Sequence, residues 1–134
     1  MIGTDLVYVP VFGEQLRAPG TRFAQQVFAP SELLVARRRG LEDAAYERHL
    51  AGRWAAKEAL VKAWSQAVFG MQPPLDRDSL DWREIEVVPD AWGRISLRVT
   101  GRAGAAFAAQ FGDEPVTSAS ISHDGDYAIA VVQL

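Results

Sequence analysis

The chain has 134 residues, 49% hydrophobic and 23% charged, with a net charge of −3 and no cysteine. Such a chain suits a single domain, residues 1–134, large enough to bury a core. Disulfides, thiolate catalysis and cysteine zinc sites are excluded. The acidic balance argues against a general nucleic-acid binder, and no apolar run approaches the roughly 20 residues that span a bilayer.

The opening MIGTDLVYVP lacks the basic start and long apolar run of a secretory signal, so a cytoplasmic location is expected. The charge is uneven: nine Lys and Arg against seven Asp and Glu through residue 62, then five against ten. The first part is therefore the one able to meet an anionic ligand or an acidic partner.

Ile2 to Val9, β-branched and aromatic with Asp5 inside, predicts a strand stopped by Pro10. Val11 to Arg17 predicts one or two helical turns, ended by Ala-Pro-Gly at 18–20. Short helices follow from Thr21 to Val27 and from Pro30 to about Arg39, the second closed by Gly40. A long helix runs from Glu42 or Asp43 to Ala67, with acidic residues at its positive end. Met71 to Ser79, with its Pro-Pro pair, predicts a loop. Glu84 to Val88 and Ile95 to Thr100 predict a hairpin, Ala103 to Phe111 a helix, and Val116 to Ser122 with Tyr127 to Val132 a last hairpin turning at His123-Asp124-Gly125-Asp126. This order predicts an α+β domain with a small, mostly antiparallel sheet against one long helix and several shorter ones.

Three places combine ionisable groups with foreseeable geometry. Asp5 sits in an apolar strand, Arg53, Lys57, Glu58 and Lys62 lie on the long helix, and His123 stands at the last turn. On the stretch GRWAAKEALVKAW, Glu58 shares a helix face with Ala51, Trp54, Ala55, Val61 and Lys62. Each has an ordinary structural reading. Glu58 and Lys62 form an i,i+4 pair that contributes only about 0.2–0.5 kcal/mol on a helix surface. Asp5 reads equally as a hydrogen-bonded strand residue, His123 as a turn histidine, and Arg37 to Arg39 as a solvated helix end. His49 reads as structural. If the three places converge, Asp5 and Glu58 suit a hard cation such as Mg²⁺, and Arg53, Lys57 and Lys62 suit phosphate. Together they form a phosphoryl-transfer set.

Four blocks in order resemble the holo-acyl-carrier-protein synthases, the small trimeric class of 4′-phosphopantetheinyl transferases: IGTDLV, RFAQQVFAPSEL, LAGRWAAKEALVKAW and SISHDGDYAIAVV. The Trp-containing helix and Pro-Pro loop are similar to the actinobacterial branch. The resemblance implies transfer of the 4′-phosphopantetheine arm of coenzyme A to a serine of apo acyl carrier protein, in support of fatty acid biosynthesis. It implies Mg²⁺ held by Asp5 and Glu58, and Glu58, directly or through a metal-bound water, as a group that helps deprotonate the serine. Lys62 would stabilise the transferred phosphate. Arg53 and His123, with Lys57 as a helper, would contact coenzyme A. It also implies a homotrimer with sites between subunits, and a carrier-protein contact around Arg22 and Phe23.

Three positions depart from the family pattern. Val11 and Phe12 stand where many members have a basic residue gripping the carrier. Trp64-Ser65-Gln66-Ala67 replaces a glycine-rich stretch, and Ile95 replaces a proline of the middle hairpin. The alternative function is a non-catalytic nucleotide- or acidic-protein-binding module. Paired Asp5 and Glu58 argue against it, because carboxylates repel an anionic ligand.

Overall fold

The computed structural model describes residues 1–113 and 118–134. The start of the expected fourth strand, at Val116 and Thr117, lies outside the described residues. The elements are β1 (Ile2–Tyr8), α1 (Val9–Arg17), α2 (Phe23–Val27), α3 (Pro30–Arg38), α4 (Asp43–Ala67), β2 (Ile85–Pro89), β3 (Ile95–Val99), α5 (Gly101–Phe111), β4 (Ser118–Asp124) and β5 (Tyr127–Gln133). The fold is α+β, as expected, but among the described residues the strands form two antiparallel sheets rather than one. β1-β5-β4 make a three-stranded sheet with β5 in the centre, and β2-β3 pair separately.

Two boundaries move for physical reasons. Pro10 does not end β1 and precede a helix; it lies in the first turn of α1, where its missing N–H has no partner to lose. β4 continues through His123 and Asp124, so His123 is a strand residue, not a turn residue. Its register partner is Ala128.

α4 is buried from His49 through Trp64 on almost every side, and its polar members His49, Arg53, Lys57 and Glu58 are buried with it. It packs on β1 and β5, with α1 against it as well. Ala51, Ala55, Ala56, Ala59 and Ala63 are fully buried, and these short side chains let strands approach the helix axis. Along β1, Gly3, Asp5 and Val7 turn towards α4, while Ile2, Thr4, Leu6 and Tyr8 turn outward. β5 alternates in the same way, burying Ala128, Ala130 and Val132. A row of rings, Phe28, Phe12, Phe23, Trp54 and Trp82, runs beside the helix with successive centroids 4.7–6.4 Å apart. Among the described residues, no helix is long and apolar enough to cross a membrane.

Candidate active site

Asp5 and Glu58 meet because a strand face and a helix face are pressed together. Period two turns Asp5 inward from β1, and Glu58 is almost fully buried at the same level of α4. Each carboxylate already has a cation. The Lys62 Nζ donates to Asp5 Oδ1 at 2.8 Å and to the Thr4 carbonyl oxygen at 3.0 Å. Glu58 does not pair with Lys62 one turn on. It accepts instead from Arg77, whose Nη2 lies 2.6 Å from both carboxylate oxygens. Burial raises the Glu58 carboxyl above its ordinary value; Arg77 opposes the rise and the charge of Asp5 adds to it. These groups line a cleft of about 370 Å³ with Val11, Gln15 and Trp54. Beside it lies a larger groove of about 730 Å³, walled by Gly3, Val61, Trp64, Pro74 and Leu80. Lys62 and Arg77 line both.

Arg53 and His123 lie elsewhere. They share a separate cavity of about 350 Å³ with Gly93, Arg94, Ile95 and Ser120. Gly52 makes room for the imidazole, since a Cβ there would stand 2.8 Å from His123 Nε2. That nitrogen donates to the Arg48 carbonyl oxygen at 3.0 Å. Burial lowers the His123 pKa, against the raising effect of this hydrogen bond. Arg53 is buried, and burial first and Arg39 second push its pKa down to about 10, which leaves it cationic near neutrality. It forms no ion pair among the described residues. A partly desolvated cation beside another cation favours an anion.

Lys57 requires a correction. The sequence places it near phosphate, but its side chain is fully buried and lines neither the Asp5–Glu58 cleft nor the Arg53–His123 cavity. The ammonium donates to Glu32 Oε1 at 2.5 Å, to the Val27 carbonyl oxygen at 2.7 Å and to that of Trp82 at 3.1 Å. Glu32 in turn accepts from the backbone N–H of Ala29 and of Val87. All three donors of Lys57 are therefore taken, and the pair ties α2, α3, α4 and β2 together. Arg22 is exposed, whereas Phe23 is half-buried in the ring row between Phe12 and Trp54. Arg77 is the residue that sequence reading missed; it lies 19 positions from Glu58, in a segment without periodicity to suggest the contact.

Known proteins resemble this chain along nearly its whole length. The family model for the 4′-phosphopantetheinyl transferase superfamily matches residues 1–132. The chain belongs to that superfamily. It is 47% identical over 133 residues to the holo-[acyl-carrier-protein] synthase of Corynebacterium glutamicum, covering 99% of this chain and 96% of the relative. It is 45% identical over 135 residues to that of Mycobacterium tuberculosis, covering 99% and 94%. The solved complex of a Chronobacterium ammoniagenes ACPS with CoA superposes with a TM-score of 0.90 at 48% identity, over 98% of this chain and 93% of that one. These relatives agree with the actinobacterial character read from the Trp-containing helix.

Proposed function

We propose that this chain, as one catalytic domain, transfers the 4′-phosphopantetheine arm of coenzyme A to a serine hydroxyl of apo acyl carrier protein, releasing adenosine 3′,5′-bisphosphate. Its place would be in the cytoplasm, in support of fatty acid biosynthesis. The observation that carries this reading is the convergence of Asp5, Glu58 and Lys62 on one cleft of a superfamily member.

The donor set fits Mg²⁺. Two carboxylate oxygens on a strand and a rigid helix offer the hard ligands this ion takes, leaving positions for phosphate and water. Asp5 and Glu58 would hold it, and when bound it would neutralise diphosphate charge and polarise the phosphorus under attack. The protein's own groups do the rest. Glu58, fixed at the cleft by the buried helix, takes the proton of the serine hydroxyl. The half-exposed Lys62 ammonium can leave Asp5 and meet the charge that develops on the transferred phosphate.

Arg53 and His123 occupy a different cavity from Glu58 in the same chain. We assign that cavity to coenzyme A held by a neighbouring copy, so that each site combines Asp5, Glu58 and Lys62 of one subunit with Arg53 and His123 of the next. The outer face of the three-stranded sheet supports such a homotrimer. It exposes Ile2, Leu6, Tyr8, Ile129 and Val131, with Ile2 63% and Leu6 62% accessible, an apolar surface suited to burial against a second copy. The carrier protein is assigned to the surface around Arg22, with Phe23 acting through its packing.

The test is release of adenosine 3′,5′-bisphosphate from coenzyme A, followed by liquid chromatography with and without apo carrier protein. The transferase reading requires release that depends on both the carrier and Mg²⁺. Tight coenzyme A binding with no release in the presence of carrier would favour the binding-module alternative.

A further inference from the structure

Arg77 stands on the carboxylate that the proposed metal site needs. It opens a 3-10 turn, Arg77–Ser79, and its Nη2 sits 2.6 Å from both oxygens of Glu58. A divalent cation uses the same oxygen lone pairs, and two cations on one carboxylate repel. The two therefore compete. Glu58 cannot yield, because its side chain is 8% exposed on the buried helix, but Arg77 can, being 57% exposed on a turn.

Two observations say where the guanidinium goes. Arg77 and Lys62 are the two residues shared by the Asp5–Glu58 cleft and the larger groove beside it. A ligand spanning both spaces must pass between these cations. The Arg77 guanidinium also lies 5.6 Å from the centre of the Trp82 ring. A cation over an aromatic face is held without an anion, so Arg77 released from Glu58 stays at this seam. A planar guanidinium is well shaped for phosphate oxygens.

We infer that Arg77 is an exchangeable clamp, which holds Glu58 in the free protein, yields it to a divalent cation, and then grips the diphosphate of coenzyme A beside Lys62. This rests on the transferase reading above. It adds a substrate-binding residue that the sequence blocks do not contain, and it makes metal loading and substrate gripping two halves of one exchange.

The exchange gives Arg77→Ala opposite effects on two affinities. Mn²⁺ affinity is read without coenzyme A from the electron paramagnetic resonance signal of free Mn²⁺, and coenzyme A affinity by calorimetry in Mg²⁺. With its competitor removed, the variant should bind Mn²⁺ about three- to tenfold more tightly. With its phosphate contact removed, it should bind coenzyme A about tenfold more weakly. Arg77→Lys, keeping a point charge, should recover part of the coenzyme A affinity. Loss of both affinities together would show a merely structural role and overturn the clamp, as would no change in either. Wild-type protein that takes up no coenzyme A would overturn the transferase reading and the diphosphate step with it. Wild-type uptake with undiminished affinity in Arg77→Ala would overturn the clamp alone.

Discussion

Gly3 of β1 lies so close to Ala59 of α4 that a Cβ on Gly3 would stand 1.9 Å from the Ala59 carbonyl oxygen and 2.6 Å from the Ala63 backbone nitrogen. Both obstacles are main-chain atoms of a buried helix, so neither can swing aside. This crossing brings Asp5, two residues further along the same face, to Glu58. Gly3→Ala should therefore lower stability by about 1–3 kcal/mol, as overpacking does, and weaken divalent-cation binding with it. Thermal unfolding and Mn²⁺ titration check the two effects; an unchanged melting temperature would contradict the crossing.

The buried pair of Lys57 and Glu32 gives a second expectation. Lys57→Met leaves the Glu32 carboxylate charged and without its cation, which typically costs about 3–5 kcal/mol. Adding Glu32→Leu removes that stranded charge and should restore part of the loss. Urea unfolding measures both. If Lys57 instead served coenzyme A, Lys57→Met would keep its stability and lose only ligand affinity.

His49 makes stability depend on pH. Burial first, then the charges of Arg53, Arg39 and His123, push its pKa from 6.5 down to about 3. Between those values the unfolded chain binds the proton and the folded protein does not. The contribution is thus complete above 6.5 and is lost as pH falls towards 3. His123, also lowered, slopes the same way. His49→Gln should lose less stability than the wild type between about pH 7 and about pH 4.5. Denaturant midpoints across that range decide it, and parallel curves would count against a neutral buried imidazole.

The two-cavity arrangement yields an assembly test. Glu58→Gln and His123→Ala should each cripple transfer. Mixed trimers formed by co-expression should regain about one working site in four, since an intact Glu58 can then face an intact His123. Activity of the mixture no greater than that of either variant would contradict sites shared between subunits. Leu6→Glu should place a charge on the uncovered sheet face and shift the protein to monomers, as read by light scattering after size exclusion.

The residues that were legible in sequence were those fixed by local periodicity. The apolar run placed Asp5 in a strand, and helical spacing put Glu58 and Lys62 on one face; the structure turns Asp5 inward and brings these three to one cleft. The α+β order was legible from turn residues and alternation. What escaped depended on contacts distant in sequence. Helical spacing fixed the direction of Lys57 but not what lay there, and its acceptor Glu32 is 25 residues away. Arg77 joins Glu58 from a stretch read as a loop. The separate β2-β3 sheet could not be foreseen from its own hairpin signals, which are the same whether or not a hairpin joins a larger sheet. His123 was misplaced because Asp-Gly marks a turn without saying how far the strand before it extends.

The central claim is most directly tested by intact-mass spectrometry of an apo acyl carrier protein after incubation with this protein, coenzyme A and Mg²⁺. Parallel samples would contain EDTA, Asp5→Asn or Glu58→Gln. The account expects a mass gain of one phosphopantetheinyl group per carrier, abolished by EDTA and slowed roughly 10²–10⁴-fold by Glu58→Gln, the range for loss of a positioned proton acceptor. A gain that survives EDTA and both substitutions undiminished would contradict the assigned chemistry. No gain on any carrier that a known synthase modifies under the same conditions would contradict the transferase itself.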